Sequence, residues 1–173
     1  MNSQKKLKQE NILKKLIFIL SLFILNVQAA TQIKDFKLKD LENRYVSLSE
    51  LKGEKLTIID FWATWCKPCI KAIPNLNKIY KSYKEQGLEV IGINVDSPRN
   101  SAKVKPFIKT YKMEYAVLRD PNSQLATELN VSAYPTLYLI NAQNEIVYTH
   151  IGYHSGEEKL LIREIEKQLN EDK

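Results

Sequence analysis

Apolar residues recur along this chain with two different periods, and the change from one to the other marks its elements. Leu56-Thr57-Ile58-Ile59-Asp60-Phe61-Trp62 is a nearly continuous apolar run, and its β-branched centre, Thr57 to Asp60, predicts a buried central strand. Beyond it, Ile70, Ile73, Leu76, Ile79 and Tyr80 fall at helical spacing, which predicts a helix kinked at Pro74 and stopped at Gly87. Leu88 to Asp96 carries Val90, Ile91, Ile93 and Val95 and reads as a second buried, parallel strand, with the helix as its right-handed crossover. A βαβ unit is therefore the expected core.

Shorter patterns flank it. Phe36-Lys37-Leu38 and Tyr45-Val46 predict an N-terminal hairpin around a turn at Asp40 to Asn43, and Ser49 to Gly53 a brief helical turn ended by its glycine. Ser97 to Lys112 sets Val104, Phe107, Ile108 and Tyr111 on one helical face; Tyr115 to Leu118 predicts a short strand and Gln124 to Leu129 a short helix. Thr136 to Ile140 and Glu145 to Ile151 form a final hairpin through Asn141 to Asn144. Glu157 to Asn170 closes the pattern as an amphipathic helix with Leu161, Ile165 and Leu169 inward. No repeat, low-complexity segment or linker interrupts this α/β order.

The first thirty residues follow a different rule. Lys5, Lys6, Lys8, Lys14 and Lys15 form a basic region, Leu16 to Val27 is a twelve-residue apolar stretch broken only by Ser21 and Asn26, and Val27-Gln28-Ala29 offers small-residue cleavage chemistry. This predicts a signal peptide over residues 1–29 and one domain over residues 30–173, exported to the periplasm or the outer face of the cytoplasmic membrane. The apolar stretch is shorter than the roughly 20 residues of a usual spanning helix. Left uncleaved it would act as an anchor, and only then would the chain contact a membrane. No cysteine stands directly after it, which excludes a lipoprotein anchor. Without residues 1–30, which hold five lysines and one glutamate, the formal charge falls from +6 to +2. With no basic tract interleaved with aromatics, nucleic-acid binding has no support.

Two cysteines are all the chain has, and they stand together in Trp65-Cys66-Lys67-Pro68-Cys69, directly after the predicted central strand. An exported protein with a single Cys-x-x-Cys and no further cysteine points to catalytic use of the pair. Cys66 falls at the start of the predicted helix, where free N–H groups and the macrodipole favour a thiolate, so it is the expected nucleophile. Cys69, one turn further in and more shielded, is the expected resolving thiol. Pro68 suits a first helical turn, and Lys67 adds a positive charge beside the nucleophile. Half a zinc site is the alternative use of such a pair. The only other soft ligands, His150 and His154, lie some eighty residues away and read as a strand end and a polar loop.

Phe61-Trp62-Ala63-Thr64-Trp65-Cys66-Lys67-Pro68-Cys69, together with Tyr134-Pro135-Thr136, resembles the thioredoxin superfamily. The hairpin and the segment Ser97 to Leu118 resemble its TlpA/ResA branch, exported thiol-disulfide oxidoreductases related to the AhpC/TSA peroxiredoxins. The resemblance implies a thioredoxin fold, a central mixed sheet flanked by helices, with an N-terminal β-hairpin and a central βα-type insertion. It implies a cis peptide bond at Pro135, with Tyr134 and Trp65 forming the surface on which an extended substrate segment lies. It further implies that Asp60 is a buried carboxyl of raised pKa that exchanges a proton with Cys69.

No cofactor is implied beyond the Cys66–Cys69 disulfide. The implied partners are protein disulfides as substrates, among them those of cytochrome c maturation or of oxidase copper-site assembly, and a membrane thiol reductase of the DsbD/CcdA type as electron donor. Where that branch often carries a glutamate, three residues after the second cysteine, this chain has Ala72, which withholds support from the apocytochrome role in particular. Two rivals remain. A thioredoxin-fold peroxidase would want proline at position 59, which is Ile59. A copper-binding chaperone would use Cys66 and Cys69 as thiolate ligands.

Overall fold

The computed structural model describes residues 31–171. The signal peptide expected over residues 1–29 lies outside the described residues. Among the described residues no helix is long and apolar enough to cross a membrane.

Strands β1 (Lys37–Lys39), β2 (Tyr45–Ser47), β3 (Leu56–Trp62), β4 (Leu88–Asn94), β5 (Ala116–Arg119), β6 (Thr136–Asn141) and β7 (Ile146–Ile151) form one mixed sheet. Its order is β2-β1-β5-β4-β3-β6-β7. Helices α1 (Leu48–Leu51), α2 (Lys67–Tyr83), α3 (Ser101–Thr110), α4 (Gln124–Glu128) and α5 (Glu158–Glu171) connect and cover it. β3 lies between a parallel neighbour, β4, and an antiparallel one, β6, and all seven of its residues are buried. That double coverage is why its sequence is apolar without alternation. The N-terminal hairpin adds β1 and β2 to the sheet through an antiparallel contact of Lys39 with Arg119 on β5.

Side chains alternate across β3 and so divide the layers. On one face Trp62 stacks on Phe107 of α3 with ring centroids 5.2 Å apart, while Asp60 shares a cavity with Ala72, Leu76 and Ile79 of α2 and Leu161 of α5. On the other, Phe61 meets Tyr138 edge-on, and the Tyr138 hydroxyl donates to the Leu129 carbonyl just past α4. The insertion between Ser97 and Leu118 therefore supplies both β5, the parallel neighbour of β4, and α3, the cover for Trp62. The apolar stripe of α5 is buried as its period predicts, at Leu161, Ile165 and Leu169.

One local expectation is corrected. Gly53 does not end α1. Lys52 does, in an extended conformation, with its N–H on the Leu48 carbonyl. Gly53 is instead a place of close approach, since a Cβ there would stand 2.3 Å from the Leu56 carbonyl oxygen and 2.6 Å from that of Gly87. Pro74 lies inside α2, which runs from Lys67 to Tyr83 and buries Cys69, Ile73, Leu76 and Ile79. Gly87 fulfils its expected role, at φ 95°, after a short 3-10 turn over Lys84–Gln86.

Candidate functional site

α2 begins where β3 ends. Cys66 is its N-cap residue, and its Sγ accepts the Cys69 N–H at 3.2 Å, so a sulfur occupies the position where a capping oxygen usually satisfies a free amide. Lys67 and Pro68 fill the first helical positions and are both exposed, with the proline where its missing N–H costs nothing. Cys66 and Cys69 are joined as a disulfide. Both are largely covered, Cys66 at 4% and Cys69 at 1% exposure, so the leading sulfur is the more accessible by a small margin only.

The turn that delivers Cys66 is fastened from the neighbouring strand. Asp96, buried just past β4, accepts the Thr64 backbone N–H at 2.8 Å and the Thr64 hydroxyl at 2.7 Å. The Asn94 side-chain amide donates to the same carboxylate at 2.7 Å. The Cys66 N–H then closes the turn on the Ala63 carbonyl at 3.1 Å. A carboxylate with three donors and almost no solvent contact is a rigid anchor.

Antiparallel pairing sets Thr136 opposite Phe61, so Pro135 lies at the end of β3 beside the turn. The Tyr134–Pro135 peptide bond is cis, as the resemblance implies. Tyr134 meets Trp65 edge to face at 6.0 Å, and Trp65, 59% exposed, gives the site an aromatic wall open to solvent. Beneath this surface lies Asp60, 4% exposed, whose carboxyl is pushed up to about 7 by burial. It opens onto a cavity of about 50 Å³ that is also lined by Ala72, Pro135 and His150.

The sequence profile of the AhpC/TSA family matches residues 29–149. The chain belongs to the AhpC/TSA family. It is 34% identical over 132 residues to a thiol-disulfide oxidoreductase ResA of Bacillus cereus, covering 76% of this chain and 75% of that one. It is also 34% identical over 147 residues to the thioredoxin-like protein YneN of Bacillus subtilis, covering 84% and 81%. A Chlorobium tepidum structure, provisionally assigned as the thiol:disulfide interchange protein DsbE, superposes with a TM-score of 0.75 at 28% identity, covering 81% of this chain and 96% of that one. Thiol–disulfide oxidoreduction is thus the chemistry of this AhpC/TSA chain, and Cys66–Cys69 is the pair that can carry it.

Within this family member the structure brings Trp65, Cys66, Lys67, Pro68, Cys69, Tyr134 and Pro135 to one end of the sheet, with Asp60 below them. It does not bring His150 and His154 to the cysteines as a metal site. Among the described residues no group of three or more His, Cys, Asp or Glu side chains is placed to hold an ion. The histidines instead share Glu157. Its carboxylate accepts the His154 backbone N–H at 2.8 Å and lies 3.1 Å from His150 Nε2. The His154 N–H holds Glu157 below the usual carboxylate range.

Sequence reasoning singles out neither Asp96 nor Glu157, and it reads His150 and His154 only as a strand end and a polar loop. One signal for Asp96 was available, a polar residue closing an apolar parallel strand on the side where such sheets place their sites.

Proposed function

We propose that this AhpC/TSA family protein is an exported reductase of protein disulfides, with Cys66 as nucleophile, Cys69 as resolving thiol and Asp60 as proton acceptor. The observation that carries the reading is the Cys66 sulfur capping α2 at the end of β3, beside cis-Pro135, with a buried carboxyl beneath. In the reduced protein the Cys66 thiolate attacks one sulfur of a substrate disulfide, forming a mixed disulfide and releasing the other sulfur as a thiolate. Cys69 then gives its proton to the Asp60 carboxylate and attacks Cys66 Sγ, which breaks the mixed disulfide and releases the second substrate thiolate. Two electrons have passed to the substrate, and the Cys66–Cys69 disulfide is restored for reduction by a membrane thiol donor.

Tyr134 and Trp65 supply the docking surface, where an extended substrate segment pairs with backbone groups beside Pro135. Lys67 and Pro68 shape the first turn, so that the helix terminus supports the thiolate. The experiment is to express Cys69→Ala in the native cells, where substrates should accumulate as mixed disulfides on Cys66. Absence of any mixed disulfide, with the protein folded and reduced, would overturn the reading. Recovery of the mature chain outside the cytoplasm, beginning near Ala30, tests the compartment, and full-length protein in the cytoplasm would refute it.

A further inference from the structure

Asp60 on β3, Leu137 on β6 and His150 on β7 form one row across the sheet, because Asp60 pairs with Leu137 and Leu137 with His150. Directly paired residues share a face, and two strand spacings set the ends of the row about 10 Å apart. Leu137 has nothing with which to pass a proton. The cavity beside it has: Asn75 comes from α2, Tyr148 and His150 from β7, and Tyr153, Glu157 and Glu158 from the loop and the start of α5. At about 50 Å³ it exceeds the roughly 10–15 Å³ that one water requires, and Ala72 on α2 leaves that space unfilled. The Asn75 amide donates to the Tyr153 hydroxyl at 2.7 Å and ties the loop over it.

The inner and outer ends of this cavity differ in their access to water. Asp60 is buried, whereas the His150 side chain is 25% exposed and that of Glu157 34%. Glu157 fixes the imidazole by its Nε2, and Nδ1 makes no hydrogen bond among the described residues. An imidazole held on one nitrogen and free on the other can take a proton at one and give it at the other.

We propose that His150, held by Glu157, is the outer station of a proton path that crosses this cavity to Asp60. The inference rests on the disulfide-reductase reading above and assigns a route to its proton. When Cys69 forms its bond to Cys66, its proton resides on the Asp60 carboxyl. The carboxyl then gives that proton through water in the cavity to His150, and His150 passes it to solvent beside Glu157. One proton moves and no electrons do, and reduction of the disulfide runs the path inward. The reductase reading puts Cys69 on the α2 side of Asp60; the other titratable groups around it are Tyr115 preceding β5, Tyr148 and His150 on β7, Tyr153 in the loop, and Glu157 and Glu158 at α5, and no lysine or arginine lines the cavity. Tyr115 is held far above its ordinary pKa by burial and by Asp60, so it stays protonated. His150 is therefore the only cavity-lining base with a path to water other than the two glutamates.

The test is a pH jump on the oxidised protein from about pH 5 to about pH 8, on either side of the Asp60 value. Loss of its carboxyl infrared band is followed, the band being assigned by its absence in Asp60→Asn. His150→Gln should slow the loss about tenfold or more, and added imidazole should restore it in proportion to concentration. Glu157→Gln keeps the imidazole and should slow it less, and it carries the test alone if His150→Gln does not fold. Rates equal to wild type and indifferent to imidazole in the folded variants would overturn the path. Mixed disulfides would still form on Cys66 in the Cys69→Ala protein, so failure of the route is distinguishable from failure of the reductase reading.

Discussion

A carboxyl held at about 7 by burial makes stability depend on pH in a direction opposite to that of most aspartates. Between about pH 4 and pH 7 the native state keeps the Asp60 proton that the unfolded chain has already lost. Unfolding therefore releases a proton there, and stability falls as pH rises through this window. The shift from 3.8 to about 7 corresponds to about 4 kcal/mol. Asp60→Asn, which cannot ionise, should flatten this slope. Urea melts should show the variant gaining on wild type from pH 5 to pH 8, and parallel curves would refute the buried charge. At Cys66 the contrast is kinetic: reduced protein should be alkylated there first at mildly acidic pH, and equal labelling of Cys69 would reverse the assigned roles. These residues were legible because each broke a local pattern, an acid in an apolar run and two thiols at a strand–helix junction. His150 and Glu157 broke none, and Asp96 only closed an apolar strand, since their meaning lies in contacts with Thr64 and the Asp60 cavity that only the folded sheet creates.

Elements were read more surely than their ends. All seven strands and the helices α2 to α5 stand where the periodicities put them, most plainly β3, β4, α2 and α5, whose buried faces are what periodicity records. Gly53 was misread because a glycine after a helical turn looks the same in sequence whether it caps the helix or lets two backbones meet. Gly53→Ala tests the close approach: overpacking against the Leu56 and Gly87 carbonyls should cost about 1–3 kcal/mol or more. A denaturant midpoint close to wild type would refute the close approach. At the junction of β4 with the active-site turn, Asp96→Ala leaves the Thr64 N–H and the Asn94 amide without their acceptor and should cost about 2–4 kcal/mol. Its alkylation rate at Cys66 should change as well, because Thr64 lies in the turn that presents that sulfur. A stability loss with the thiol reactivity intact would make Asp96 an anchor of the fold alone.

For the whole molecule the open quantity is the direction in which electrons run, and two opposed charges decide it. The α2 terminus and Lys67 favour a Cys66 thiolate, which stabilises the reduced form and makes the pair more oxidising. Asp60, once ionised, disfavours an anion nearby and pulls the other way. Lys67 is exposed and screened by solvent, whereas Asp60 is buried beneath the site, so the carboxylate should prevail above its own pKa of about 7. We therefore expect a potential nearer thioredoxin's, about −270 mV, than the about −120 mV of DsbA. The same balance predicts its variation with pH. Asp60→Asn should raise the potential relative to wild type at pH 8, where the carboxylate is charged, and leave it nearly unchanged at pH 5.5, where it is neutral. Lys67→Glu should lower it modestly at both. Glutathione equilibria at the two pH values measure all three proteins. A wild-type value above about −160 mV would make the protein an oxidant, and an Asp60→Asn shift equal at both pH values would show that the buried charge does not set the potential.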